Sequence, residues 1–152
     1  MRKPLRLSIL AAALALSALL VMASVASAAS PHYIKDPTIT FGENSLTVSW
    51  KAAGLGNEDP TADFQLTGSV NLTSQCFTKS GNPVQGVPKQ ETVDVNATGT
   101  FDVRNGQVTG SLTVKPLSTL TCTGKQHVES TVNSYDLVLN GDSLDPFPLS
   151  SG

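Results

Sequence analysis

From residue 38 onward the chain alternates apolar and polar positions with period two, the pattern of strands with one buried face. Ser45-Leu46-Thr47-Val48-Ser49-Trp50 places Leu46, Val48 and Trp50 on one face. The longest run, Phe64 to Cys76, puts Phe64, Leu66, Gly68, Val70, Leu72 and Cys76 on one face, with Thr67, Ser69, Asn71 and Thr73 opposite. Val93, Val95, Ala97, Gly99, Phe101 and Val103 repeat the alternation, and Val108, Gly110, Leu112 and Val114 carry it back. Between those two runs stands Arg104-Asn105-Gly106-Gln107, whose Asn-Gly pair tolerates the positive φ of a tight hairpin turn. Thr38 to Phe41 reads as a short opening strand, Leu120 to Cys122 as a short strand beyond Pro116, and Val128 to Leu139 as the last. Ala52 to Asp59 is a glycine-containing connection, and Thr78 to Lys89, rich in Gly, Pro and polar residues, is one long exposed loop. About seven strands without a helix predict an all-β, antiparallel sandwich, immunoglobulin-like or similar, with a small β-barrel as the alternative.

The first 28 residues follow another rule. Arg2, Lys3 and Arg6 make a basic start, Leu7 to Met22 is apolar apart from Ser8 and Ser17, and Ala26-Ser27-Ala28 supplies small residues for cleavage. These are the three regions of an export signal, cleaved before Ala29. A membrane-anchoring helix is the competing reading, because the run approaches spanning length. Against it, the small residues follow at once and no basic stop-transfer cluster appears. Residues 29–152 then form a single secreted domain, released from the membrane after cleavage. A chain of that length hides about two-thirds of its unfolded surface, enough for one core.

Charge narrows the partners. Removing Arg2, Lys3 and Arg6 from the ten basic residues leaves seven against twelve acidic ones, a net charge near −5. Such a surface repels phosphate backbones and anionic lipid, so neither nucleic acid nor a membrane surface is expected as a partner. The only two cysteines, Cys76 and Cys122, meet an oxidising environment once exported. A bridge between them closes 46 positions and removes about 4 kcal/mol of unfolded-state entropy in the chain-entropy model. The alternative is a reactive or metal-binding pair, but a usual metal site needs three or four ligands at characteristic spacing, and the nearest histidine is His127. No cofactor and no metal are expected.

Candidate chemistry is sparse. Gly141-Asp142-Ser143-Leu144 matches the nucleophile block of a family of secreted serine esterases, where resemblance implies an early position and a later Asp-x-x-His. Here Ser143 lies nine residues from the end, both His32 and His127 precede it, and Asn140-Gly141-Asp142-Ser143 reads as a turn. His127 and Glu129 share a strand face at i and i+2, a possible base and its carboxylate, or simply two exposed side chains. Asn57, Glu58, Asp59 and Asp63 cluster on one connection and Asn140, Asp142 and Asp145 near the end, but neither has the Asp-x-Asp-x-Asp-Gly spacing of a calcium loop. Trp50 and Tyr135 fall in step with core positions, leaving few rings for stacking on a sugar, and Tyr33 lies near the start of the mature chain. Asn71 and Asn96 head Asn-x-Thr sites that matter only in a glycosylating host.

Several segments together carry a resemblance. They are Ala53-Gly54-Leu55-Gly56, then Cys76 followed by Lys79-Ser80-Gly81-Asn82-Pro83, then Ala97-Thr98-Gly99-Thr100-Phe101. Asn105-Gly106-Gln107-Val108-Thr109-Gly110-Ser111-Leu112 and Cys122-Thr123-Gly124-Lys125-Gln126 complete them. The pattern resembles a functionally uncharacterised group of small secreted β-rich proteins from actinobacteria and related bacteria. It departs from that group at Thr78-Lys79-Ser80-Gly81-Asn82, where Asn-x-Gly-Gly-Asn is usual, and in lacking proline beside Cys122. The resemblance implies the bridge and the β fold and carries no active site.

The Thr78 to Lys89 loop is the best candidate contact surface, pinned at its base by Cys76 and stiffened by Pro83 and Pro88, although Gly81 and Gly86 loosen it. Lys79, Asn82 and Gln85 are its candidate contact residues. The leading expectation is an extracellular binding or surface-associated module rather than an enzyme, its partner an extracellular protein or a cell-wall component. The alternatives are a hydrolase using non-sequential carboxylates such as Asp59, Asp63 or Asp142, and an inhibitor of secreted proteases.

Overall fold

The computed structural model describes residues 30–151; the expected export signal lies outside the described residues. Eight strands follow in order: β1 (His32–Tyr33), β2 (Thr38–Gly42), β3 (Ser45–Ala53), β4 (Thr61–Phe77), β5 (Lys89–Asp102), β6 (Gln107–Val114), β7 (His127–Gly141) and β8 (Phe147–Ser150). They form two antiparallel sheets packed face to face. In the smaller, β6 pairs along one edge of β3 while β2 and β1 pair with successive parts of the other edge. In the longer the order is β5-β4-β7-β8. Among the described residues no ladder joins the sheets, so the sandwich holds and the barrel does not.

Alternation accounts for the core. Leu46, Val48, Trp50 and Ala52 of β3 face Phe64, Leu66, Val70 and Leu72 of β4, with Val108, Leu112 and Val114 of β6 and Leu137 and Leu139 of β7 around them. Each large side chain removed from water contributes about 1.5–3 kcal/mol. Trp50 stacks on Phe64 at 4.7 Å between ring centroids and meets Phe101 edge-on at 5.1 Å. Three glycines make room for these rings: a Cβ at Gly99, Gly110 or Gly141 would fall within about 3 Å of Phe101, Trp50 or Phe64 respectively.

Two expectations are corrected, and two features stand outside them. The Asn105-Gly106 turn forms, with φ of 52° and 69° and reciprocal bonds between Arg104 and Gln107, yet it does not open a hairpin ladder. Its arms part into different sheets, β5 onto β4 and β6 onto β3. The short strand at Leu120 to Cys122 is absent. Residues 115–126 run as an irregular strap, because Ser118 and Thr119 bond to the Glu91 carboxylate instead of to a neighbouring backbone. The strands β1 and β8 were not expected; both are short, and Pro148 in β8 has no N–H to give a ladder. Finally, β7 holds a bulge. Asn71 pairs with Ser134 but Leu72 with Val132, so Asn133 is the extra residue and its side chain donates to Thr73 Oγ1 at 2.7 Å.

Candidate functional site

The 17-residue β4 spans the molecule, so its two ends carry two separate groups of polar residues.

At the C-terminal end of β4 the expected bridge forms between Cys76 and Cys122, with Cα atoms 5.8 Å apart. Just beyond it, residues 78–88 form the expected exposed loop, one residue shorter because Lys89 opens β5, and hydrogen bonds close its first half on itself. The Thr78 N–H donates to Asn82 O at 2.9 Å, Gly81 N–H to Thr78 O at 2.9 Å and Val84 N–H to Cys76 O at 2.8 Å. Side chains add to this: Asn82 N–H donates to Thr78 Oγ1 at 3.1 Å, and Gln75 Nε2 to Val84 O at 3.3 Å. Lys79, Asn82 and Gln85 are all exposed, and Val87 is 95% exposed.

Beneath the strap, sheet alternation turns Lys89 and Glu91 toward the inner face, in register with Ser74 and Leu72 of β4. Ser74 is fully buried and shares a 2.8 Å hydrogen bond with Ser130 of β7. Glu91 accepts from Ser118 Oγ, from Thr119 N–H at 3.0 Å and from Thr119 Oγ1 at 2.6 Å, and pairs with Lys89 Nζ at 3.1 Å. These hydrogen bonds, Ser118 first, favour the ionised form and lower the Glu91 pKa from 4.5 to about 2. The cluster latches the strap across the end of the longer sheet. Sequence reasoning missed it, although the signal was there: Lys89 and Glu91 continue the inward positions of Val93 and Val95.

At the opposite end, Asp63 and Asp142 come together. Asp63 N–H donates to Asp142 Oδ2 at 2.9 Å, Asp142 N–H to Asp63 O at 3.1 Å, and Thr100 Oγ1 to Asp63 Oδ1 at 2.6 Å. They line a shallow concavity of about 660 Å³ with Gln65, Thr98 and Asn140. The Asp142 carboxylate thus fastens the β7 turn to the β4 backbone and the Asp63 carboxylate ties β4 to Thr100 of β5, whereas Asp59 stays exposed on the preceding connection. Gly141-Asp142-Ser143-Leu144 is a turn, closed by Leu144 N–H to Gly141 O at 3.1 Å with Ser143 at φ 60°. The β4 partners of His127 and Gly141 are Phe77 and Phe64, so His127 lies about 40 Å from Ser143 at 3.3 Å per strand residue. That separation excludes a Ser143–His127 dyad within one chain. His127 Nε2 instead meets Glu129 Oε1 at 3.0 Å, both half-exposed.

The remaining sequence candidates have structural places. Trp50 is 3% exposed in the core, so it offers no platform for a sugar. Tyr33 packs edge-on against Phe147 at 5.5 Å, and burial pushes its hydroxyl up to about 12. Among the described residues no group of three or more His, Cys, Asp or Glu side chains is arranged to hold a metal ion. Asn71 and Asn96 lie exposed on the outer face of the longer sheet. No family model, curated protein or solved structure matches the chain.

Proposed function

We propose that the protein is an exported binding module of the cell exterior, recognising an extracellular protein or cell-wall component through the loop of residues 78–88. One observation carries this reading: the loop is ordered without being buried. Its backbone from Thr78 to Val84 is fixed by internal hydrogen bonds and anchored by the Cys76–Cys122 bridge, while Lys79 and Asn82 within that part, and Gln85 and Val87 just beyond it, remain in solvent. A connection needed only to join β4 to β5 gains nothing from displaying uncommitted side chains on a fixed backbone. A recognition loop does, because entropy lost in advance is not lost again on binding. One cation, two amides and one exposed apolar side chain suit a polar, weakly acidic ligand.

The test is affinity capture with the oxidised protein against culture supernatant and washed cell-wall fragments, quantified by mass spectrometry. A single partner is expected to be enriched, and its recovery to fall at least tenfold when Lys79, Asn82 and Gln85 are all replaced by Ala. Undiminished capture by that triple variant removes the loop from the reading. No enrichment by the unaltered protein removes the reading itself.

A further inference from the structure

The two flanks of the sandwich are finished differently. On the flank formed by β1, β2, β7 and β8, aromatic pairs close the gap between the sheets: Tyr33 on Phe147, and Phe41 on Tyr135 at 5.9 Å. The strands there are also poor templates for further pairing. The β1–β2 edge is broken around Pro37, and β8 has four residues including Pro148. The other flank, where the Asn105-Gly106 turn joins β5 to β6, is closed near that turn by Phe101, which meets Trp50 and abuts Gly110, and at its far end by the strap bonded to Glu91; between them lie Val93, Val95 and Ala97.

The strand β5 is 14 residues long, contains no proline and pairs with β4 in unbroken register from Thr61–Asp102 to Ser74–Lys89. Its hydrogen-bonding phase follows from one bond: Val103 N–H donates to Pro60 O at 2.8 Å. Antiparallel ladders alternate, so the odd-numbered residues of β5 bond to β4 and the even-numbered ones from Gln90 to Asp102 turn N–H and C=O away from it. Those even residues are exposed. Inward-facing Val93, Val95 and Ala97 remain only half-buried, although Leu66 and Val70 beside them on β4 are at 0% exposure. Lys89 and Glu91 turn charge inward at one end of this edge, but from Thr92 to Asp102 it carries no proline, bulge or lysine, an edge that proteins otherwise avoid unless it is paired.

We infer that β5 is an assembly edge on which a second copy of this chain adds antiparallel, β5 to β5, about a two-fold axis at Val95. Charge and packing select that register. Opposed residues must share a face, so a two-fold near the strand centre passes through Val95 or Asn96. An axis at Asn96 sets the Glu91 carboxylate against the apolar ring of the partner's Phe101. An axis at Val95 sets Glu91 against the partner's Gly99, where no side chain meets the carboxylate, and Lys89, already paired with Glu91, against Phe101. It opposes Val95 to Val95, Val93 to Ala97, Asp94 to Asn96 and Thr92 to Thr98. No two carboxylates face each other, and the half-buried valines are covered. The result is one continuous sheet through both copies.

The Thr92–Thr98 opposition supplies the test. Both side chains are exposed on the outer face, so changing them leaves the core untouched. Sedimentation equilibrium of the oxidised protein over a rising concentration series should show molar mass approaching twice that of the monomer. The variant T92K/T98K places lysine opposite lysine at two symmetric points, and T92E/T98E places glutamate opposite glutamate; each should remain monomeric, with the thermal transition that the parent shows at concentrations where it is itself monomeric. An equimolar mixture of the two should recover the doubled mass, because every opposition is then Lys to Glu. A monomeric parent protein at all concentrations overturns the proposal. So does a parent dimer that survives in either variant, a mixture that fails to associate, or a complex in which β5 pairs with a different protein.

Discussion

Glu91 is where a single residue has the most to say. Its carboxyl is held at about 2, against an ordinary 4.5, by hydrogen bonds from Ser118 and Thr119 and by Lys89. Between those two values the unfolded chain binds the proton that the folded chain refuses, so stability from this group rises with pH. It is fully present above about pH 4.5 and is lost as the pH falls through about 2. Replacing Glu91 with Gln keeps the size and removes the titration. The variant is expected to be less stable at neutral pH and to converge on the parent protein toward about pH 2. Urea midpoints of both proteins at neutral pH and at steps from about 4.5 down to about 2 check this. Parallel curves across that window would show that Glu91 does not act through its charge. Tyr33 illustrates the opposite influence, since burial alone holds its hydroxyl neutral up to about 12 and, among the described residues, no partner accepts its proton.

At the scale of elements, β4 is the strand on which the others are aligned, and Gly68 is its tightest point. A Cβ there would stand 2.1 Å from the carbonyl oxygen of Asp136, and φ is +149°, a region closed to other residues. Gly110 is tight in another way: its Cβ would lie 2.7 Å from Cζ2 of Trp50 and 2.9 Å from Phe101, both side-chain rings that can shift. Gly110→Ala should therefore cost about 1–3 kcal/mol, the usual range for overpacking, and Gly68→Ala more than about 3 kcal/mol because backbone must move. Denaturant titration ranks them; equal losses would mean that β7 slides freely past β4. Most of this architecture was legible, because alternation with period two marks Leu46, Val48 and Trp50, or Phe64 through Leu72, without ambiguity. The rest depended on contacts that a local pattern does not hold. The bulge at Asn133 reverses the phase between Val132 and Tyr135, a break that the sequence displays only if the two halves of β7 are read separately. The strap was misread because Leu120 and Cys122 mimic a strand, whereas Ser118 and Thr119 beside them bond to Glu91 and Cys122 is bridged to Cys76. The Asp63–Asp142 contact joins residues 79 positions apart, beyond any spacing rule.

Over the whole molecule, the two ends of the sandwich are held by different forces. One end is fastened by the Trp50, Phe64 and Phe101 rings, the other by polar contacts around Ser74 and Glu91 and by the disulfide. Apolar burial is cooperative and distributed, whereas a cross-link acts on the segments it joins. Replacing Cys76 and Cys122 by Ala should therefore not loosen the molecule evenly. The chain-entropy model gives a global loss of about 4 kcal/mol, but its first expression should be local opening of the strap and of the loop at residues 78–88. Hydrogen exchange should accelerate there and in the rows around Ser74, Lys89 and Ser130. Protection at Leu66, Leu137 and Leu139 should fall only with global stability. Two readouts make the distinction sharp. Trypsin should cut the double variant first at exposed Lys79 and Lys125, while fluorescence from Trp50, the single tryptophan, stays at its native value until the cooperative transition. Early change at Trp50 together with uniform loss of protection would mean that the two ends fold as one unit. The proposed recognition loop would then be lost with the fold rather than released from it.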